Sequence, residues 1–219
     1  MIKFPPSKST LSFSLITVYL VGIVGLSIPQ TSSFFAQLTP LNLIYTLTLI
    51  LLAQNKLGMR FWLGLSFVFI AGMMVEIIGV ETGFPFGAYH YTDLLGPSIV
   101  GVPWMMGVNW VIVILCTWAI ACRLTNNMWI ASFIGAGLTV LLDLLIEPFA
   151  INYGLWVWDA GLPPMQNYLG WFASAFIMLL VFNIITGKVR NSIAELSYLV
   201  MTFFFGALLL IPKAIEAFT

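Results

Sequence analysis

Uninterrupted apolar runs dominate this sequence, and they are long enough to cross the hydrocarbon of a bilayer. They lie at Leu11 to Ile28, Leu38 to Gln54, Phe61 to Val80, Val102 to Cys122, Met128 to Ile146, Tyr168 to Thr186 and Leu196 to Ile211. At about 1.5 Å of helical rise per residue, roughly 20 residues span about 30 Å of hydrocarbon. The second and last runs are the shortest for that task. The runs are continuous, without the in-out alternation of a membrane β-barrel strand. The expectation is an all-α polytopic bundle of about seven transmembrane helices, forming a single integral membrane domain over residues 1–219. With 61% hydrophobic and 7% charged residues, the chain has too little polar surface to cover a water-soluble globule.

Charge sets the orientation. In this topology Lys3, Lys8, Lys56, Arg60, Arg123, Lys188 and Arg190 fall on one side, and only Lys213 falls opposite. The positive-inside rule makes the basic side cytoplasmic, with the N-terminus inside. Two lysines before an apolar stretch also fit a cleavable signal peptide over residues 1–30, but the stretch is long and no clear small-residue cleavage site follows. The expected location is the cell membrane. Cys116 and Cys122 share one span on different helix faces, which suits buried structural thiols better than a disulfide.

The carboxylates gather on the other side. Of eight Asp and Glu residues only Glu195 sits with the basic cluster, so the remaining acids have almost no cationic partners. Glu76 lies sixteen residues beyond Arg60, and Asp143 sixteen beyond Asn127, which puts each about 24 Å from the basic end. Glu147 follows Asp143 by one helical turn on the same face, although Pro148 is expected to end regular helix there. Asn109 and Trp110 enter this layer from the fourth span, and Asn167, Gly170 and Trp171 from the sixth. An intramembrane carboxyl is functional by default, the alternative being a polar tie between helices. Low dielectric favours the neutral acid, and a neutral acid is a usable proton donor. Asp159 and Glu216 are expected to be solvated.

Between the third and fourth spans lies a glycine- and proline-rich segment that contains Glu81, Tyr89, His90, Tyr91 and Asp93. Such density stops a helix, and irregular backbone at membrane depth survives only against protein or a wet cavity. A lid over the bundle mouth and a plain extramembrane loop are the two readings. His90 is the one histidine, suited either to a surface hydrogen bond or to a proton shuttle. Trp104, Tyr153, Trp156 and Trp158 suit interfacial anchoring, and their π faces also suit stabilising a carbocation. The deeper Trp110 and Trp171 fit the second role better. Oxygen ligands alone can hold Mg²⁺ or Mn²⁺, whereas no His-rich or Cys-rich set supports zinc or iron. No cofactor, metal or nucleic acid is expected.

The run Thr82, Gly83, Phe84, Pro85, Phe86, Gly87, Tyr89, Tyr91, then Leu95, Gly96, Pro97 and Gly101, Val102, Pro103, resembles the CruF-like carotenoid hydratases. A second block, Asp143, Glu147, Pro148, Gly154, Trp156, Trp158, Asn167, Gly170 and Trp171, resembles the same family. Together they make residues 76–171 the motif-bearing region. The chain departs from the family pattern at Glu147, where aspartate is more usual, and around Gly161 to Pro164. The resemblance implies addition of water to the terminal double bond of an acyclic carotenoid, giving a tertiary alcohol. Asp143 or Glu76 would then donate the proton, and Glu147, Glu81, His90 or Asp93 would orient the water. Tyr89, Tyr91, Trp104, Asn109, Trp110, Trp156, Trp158, Asn167 and Trp171 would contact substrate. The polyene would enter sideways from the lipid, and other carotenoid biosynthesis enzymes would be partners. A lycopene-cyclase-type isomerase begins with the same protonation and remains the rival enzyme. A carotenoid or ion carrier is the non-enzymatic alternative. A retinal photoreceptor is disfavoured because Lys213 follows Pro212 at the very end of the last span.

Overall fold

The computed structural model describes residues 6–216, with side chains over 6–211; Lys3 and the side chains of Lys213 and Glu216 lie outside the described residues. Eight α-helices follow one another among the described residues: α1 (Lys8–Ser27), α2 (Pro29–Gln37), α3 (Thr39–Leu52), α4 (Met59–Thr82), α5 (Met105–Leu124), α6 (Met128–Tyr153), α7 (Met165–Thr186) and α8 (Ser192–Glu216). Six of them are long and apolar enough to cross a membrane, and the chain is a multi-pass membrane protein. Helix ends follow local chemistry. Ser7 caps α1 through its hydroxyl, and the Asn127 side chain accepts from the first free N–H groups of α6. Gly83 and Gly154 end α4 and α6 in the left-handed conformation, with φ of 71° and 66°, which glycine adopts without steric cost.

The expected second span is divided. Pro29 and Pro40 open separate helices, and α2 meets α3 at a bend of 59°. The α3 helix begins beside the 3-10 turn Asp93–Leu95. It ends where Asn191 Nδ2, just ahead of α8, donates to the Ile50 carbonyl at 2.8 Å and to Gln54 Oε1 at 3.0 Å. The bent pair therefore carries the chain back to the basic end, and counted as one span it raises the six long helices to seven. At that end the Arg123 guanidinium meets Glu195 at 2.9 Å, and Lys188 donates to Asn126.

Helix α5 is the shaft of the bundle. Its most apolar window is 89% buried, against 28–39% for the other five long helices, and it packs on α3, α4, α6, α7 and α8. The outer helices turn apolar side chains such as Phe13, Ile70, Ile177 and Phe203 outward, as lipid requires. Small residues bring helix axes close. A Cβ at Gly64 would meet the Thr186 methyl at 2.4 Å, and one at Gly135 would meet Leu179 at 2.7 Å.

One expectation fails at Pro148. The α6 helix runs through it to Tyr153, because packing against α5, α7 and α8 outweighs the one lost backbone hydrogen bond. Glu147 thereby stays on the helix, in register with Asp143.

Among the described residues four short strands interrupt the all-helical pattern: β1 (Tyr89–Tyr91), β2 (Ser98–Ile99), β3 (Val102–Pro103) and β4 (Trp156–Trp158). β2 pairs with β3 inside the α4–α5 connection. β1 pairs antiparallel with β4, from the α6–α7 connection, in the register Tyr89 opposite Trp158, His90 opposite Val157 and Tyr91 opposite Trp156. The glycine-rich segment is thus a lid, sewn to the second connection by backbone hydrogen bonds. Glycines let it sit close. A Cβ at Gly170 would meet the Pro85 carbonyl oxygen at 2.7 Å, and one at Gly79 would lie 2.8 Å from the Phe86 ring and 2.9 Å from the Tyr89 hydroxyl.

Candidate active site

Strand periodicity decides what the lid aims inward. Alternate side chains point to opposite faces, so Tyr89, Tyr91, Trp156 and Trp158 share one face, while His90 and Val157 turn out. The inward four are directly above two acids from different helices.

Glu76, on α4 and 1% exposed, accepts from three aromatic donors. Tyr89 and Tyr91 hydroxyls reach its Oε2 at 2.5 and 2.7 Å, and Trp110 Nε1 reaches Oε1 at 3.0 Å. Burial, and next the Glu76 charge, push both tyrosine phenols far above their ordinary range, which keeps them protonated and donating. Gly72 makes room for this arrangement, since a Cβ there would lie 2.7 Å from the Trp110 ring. Trp110 in turn stacks on Trp171, with centroids 4.2 Å apart and planes at 15°.

Glu147, on α6, accepts from the other strand. Trp158 and Trp156 Nε1 atoms lie 3.0 and 3.2 Å from its Oε2. Asn167, at the start of α7, then bridges two acids: its Nδ2 lies 2.9 Å from Asp143 Oδ2 and 3.3 Å from Glu147 Oε1. All three carboxyls and Asn167 are almost fully buried. Among the described residues the ion pairs are Arg123 with Glu195 and His90 with Asp159, so no described cation meets the cluster.

Glu76, Glu147, Asn167, Tyr89, Tyr91, Trp156, Trp158 and Trp171 surround a cavity of about 10 Å³, closed by Phe86 and Met106. A space of about 10–15 Å³ holds one water, and a bound water needs two to four polar partners. Two carboxylates and an amide on its wall meet that need. Asp143 stands behind Asn167, off the cavity wall.

Thus the structure gathers Glu76, Asp143, Glu147, Tyr89, Tyr91, Trp110, Trp156, Trp158, Asn167 and Trp171 into one site. Five other candidates stand outside it. Glu81, in the last turn of α4, and Asp93, on the lid, are exposed, and exposed His90 lies 3.9 Å from exposed Asp159. Trp104 caps α5 and is 36% exposed. Asn109 lines a separate, larger cavity. Phe86 and Met106 are wall residues that sequence reasoning did not assign. Phe86 stood inside the quoted motif run, whereas nothing local marks Met106 among the other apolar residues of α5.

No solved structure matches this chain. Over 119 residues it is 30% identical to the bisanhydrobacterioruberin hydratase of Haloarcula japonica, a match over 50% of this chain and 40% of that protein. The chain therefore spans less than half the length of that relative. The sequence model of a family described as Carotenoid biosynthesis protein matches residues 38–218, which take in helices α3 to α8 and every residue of the acidic site. The chain belongs to that carotenoid biosynthesis protein family.

Proposed function

We propose that this protein is a carotenoid hydratase, adding water across the terminal double bond of an acyclic carotenoid end group. One observation carries the reading: buried acids of separate helices surround a one-water cavity under an aromatic lid, with no described cation to neutralise them. The named relative is a hydratase, which supports the same reaction class.

The donor sets divide the labour. Glu76 receives two short tyrosine bonds and one tryptophan bond, a pattern that suits a carboxylate. Asp143 and Glu147 share one amide nitrogen, and two like charges that close disfavour joint ionisation. The pair therefore holds the proton. Glu147, which faces the cavity, delivers it to the less substituted alkene carbon, while Asp143, held by the same Asn167 amide, shares the proton with it in the resting pair. The tertiary cation forms against the faces of Trp156 and Trp158. Water attacks the cation with its oxygen lone pair, and its released proton passes to Glu76. Return of that proton to the acid pair completes the cycle, so the net change is the addition of one water. Protonation by a positioned acid contributes about 10²–10⁴-fold.

We further place the enzyme in the cell membrane, drawing its substrate from the bilayer and working beside other carotenoid biosynthesis enzymes. The test is turnover of an acyclic carotenoid in oxygen-18 water. A labelled tertiary alcohol is expected. A β-ring hydrocarbon would establish a cyclase instead, and transport without a change in substrate mass would establish a carrier.

A further inference from the structure

A cavity much larger than the acidic one adjoins it. A space of about 310 Å³ lies under the α2–α3 bend, bounded by α1, α2, α3, α5, α6 and α8. Its walls are mainly hydrocarbon, with Phe35, Phe149, Phe204 and Phe205 among them. It is graded along its length. On α1 the lining residues Thr17, Val18 and Val21 are exposed, and half-buried Leu43 of α3 faces the same space. At the far end Met106, Leu155 and Trp156 are buried.

That far end touches the site. Met106 and Trp156 line both the large apolar cavity and the small acidic one. Trp156 is the more telling of the two, because its indole N–H is held by Glu147 while its ring closes the apolar space. A ligand end that passes these two side chains arrives at the carboxyls.

Resting on the hydratase reading, we propose that this cavity seats the hydrocarbon stem of an acyclic polyene, which enters from the lipid between α1 and α3 and presents its end past Met106 and Trp156. Three features identify the occupant. The walls select hydrocarbon. The mouth opens on a helix face that meets lipid, so a bilayer-dissolved molecule needs no aqueous passage. The volume is at the lower end of the roughly 300–1,000 Å³ that bury a drug-sized ligand, so one end portion of a long polyene fits and the remainder trails into the bilayer. The two ends of a symmetric substrate are then processed in separate binding events. The α2–α3 bend acquires a purpose in this arrangement, because a straight helix would occupy the space beneath it.

Adjacent residues of α1 provide the test. Val21 lines the mouth, whereas Leu20 faces a second apolar groove formed with Leu199, Val200 and Phe203. Both are exposed, and the native Cys116 and Cys122 are buried. Val21→Cys and Leu20→Cys proteins are folded in lipid nanodiscs and only then labelled with a bulky maleimide, so that folding is not at issue. Retained lycopene is measured by its visible absorbance, and product is measured in parallel. Labelling at position 21 is expected to lower retention and turnover about ten-fold or more, and labelling at position 20 to change neither. Equal effects at both positions, or no effect at 21, overturn the proposal. Asp143→Asn separates it from the reaction: lycopene retained without product is expected. If the native protein yields no alcohol while retention still responds to the label at 21, the hydratase reading fails and the seat stands.

Discussion

Tyr89 and Trp158 face each other across the β1–β4 pair with ring centroids 5.0 Å apart, yet they donate to different acids. Tyr89 holds Glu76 and Trp158 holds Glu147. One strand pair thereby sets the spacing between two carboxyls that come from different helices. The neighbouring couple repeats the division, with Tyr91 on Glu76 and Trp156 on Glu147.

Asp143→Asn removes a titratable member of the acid pair while preserving size and a hydrogen-bonding side chain. Turnover of an acyclic carotenoid should fall about 10²–10⁴-fold, with little change in thermal midpoint. Normal turnover in the folded variant would remove Asp143 from the proton path.

Tyr89→Phe and Tyr91→Phe each delete a donor to a buried carboxylate. Hydrogen bonds to charged groups are worth about 1.5–3 kcal/mol, and each variant should lose stability of that order in a denaturation series. Their effects should also be non-additive, since both bonds end on the same oxygen. Additive losses would show that the two hydroxyls act on Glu76 independently.

Asn167→Leu strips Asp143 and Glu147 of the amide they share, leaving two buried acids to repel one another. Activity should be lost. Asn167→Gln should recover part of it, because a longer amide still reaches one of the two oxygens. Activity of the leucine variant equal to the native protein's would show that the bridge has no role in proton delivery.

Gly170→Ala places a methyl group against the Pro85 carbonyl, at a separation of 2.7 Å before any adjustment. Overpacking of this kind costs about 1–3 kcal/mol. The lid should lift locally, seen as faster amide exchange over residues 84–91, whereas Arg123→Ala at the exposed Glu195 pair should cost under about 1 kcal/mol. Unchanged exchange in the Gly170 variant would mean that α7 yields instead of the lid.

Hydropathy alone was enough to recognise a membrane helix bundle, because lipid forbids unsatisfied backbone and leaves long apolar helices as the solution for this pattern. Rise per residue likewise put Glu76 and Asp143 in one layer, since helical geometry is local. The α2–α3 bend was less visible: its prolines are plain in the sequence, but whether proline bends a helix or is carried through depends on packing, as the opposite behaviour at Pro148 shows. Strand pairing between two distant connections lay beyond local reading altogether. Tyr89, His90 and Tyr91 are consecutive, and only the register against Trp156 to Trp158 sends the tyrosines to the acids and the histidine to the surface. The cavity under the bend belongs to the same class, since it is made by side chains from six helices and has no contiguous trace in the chain.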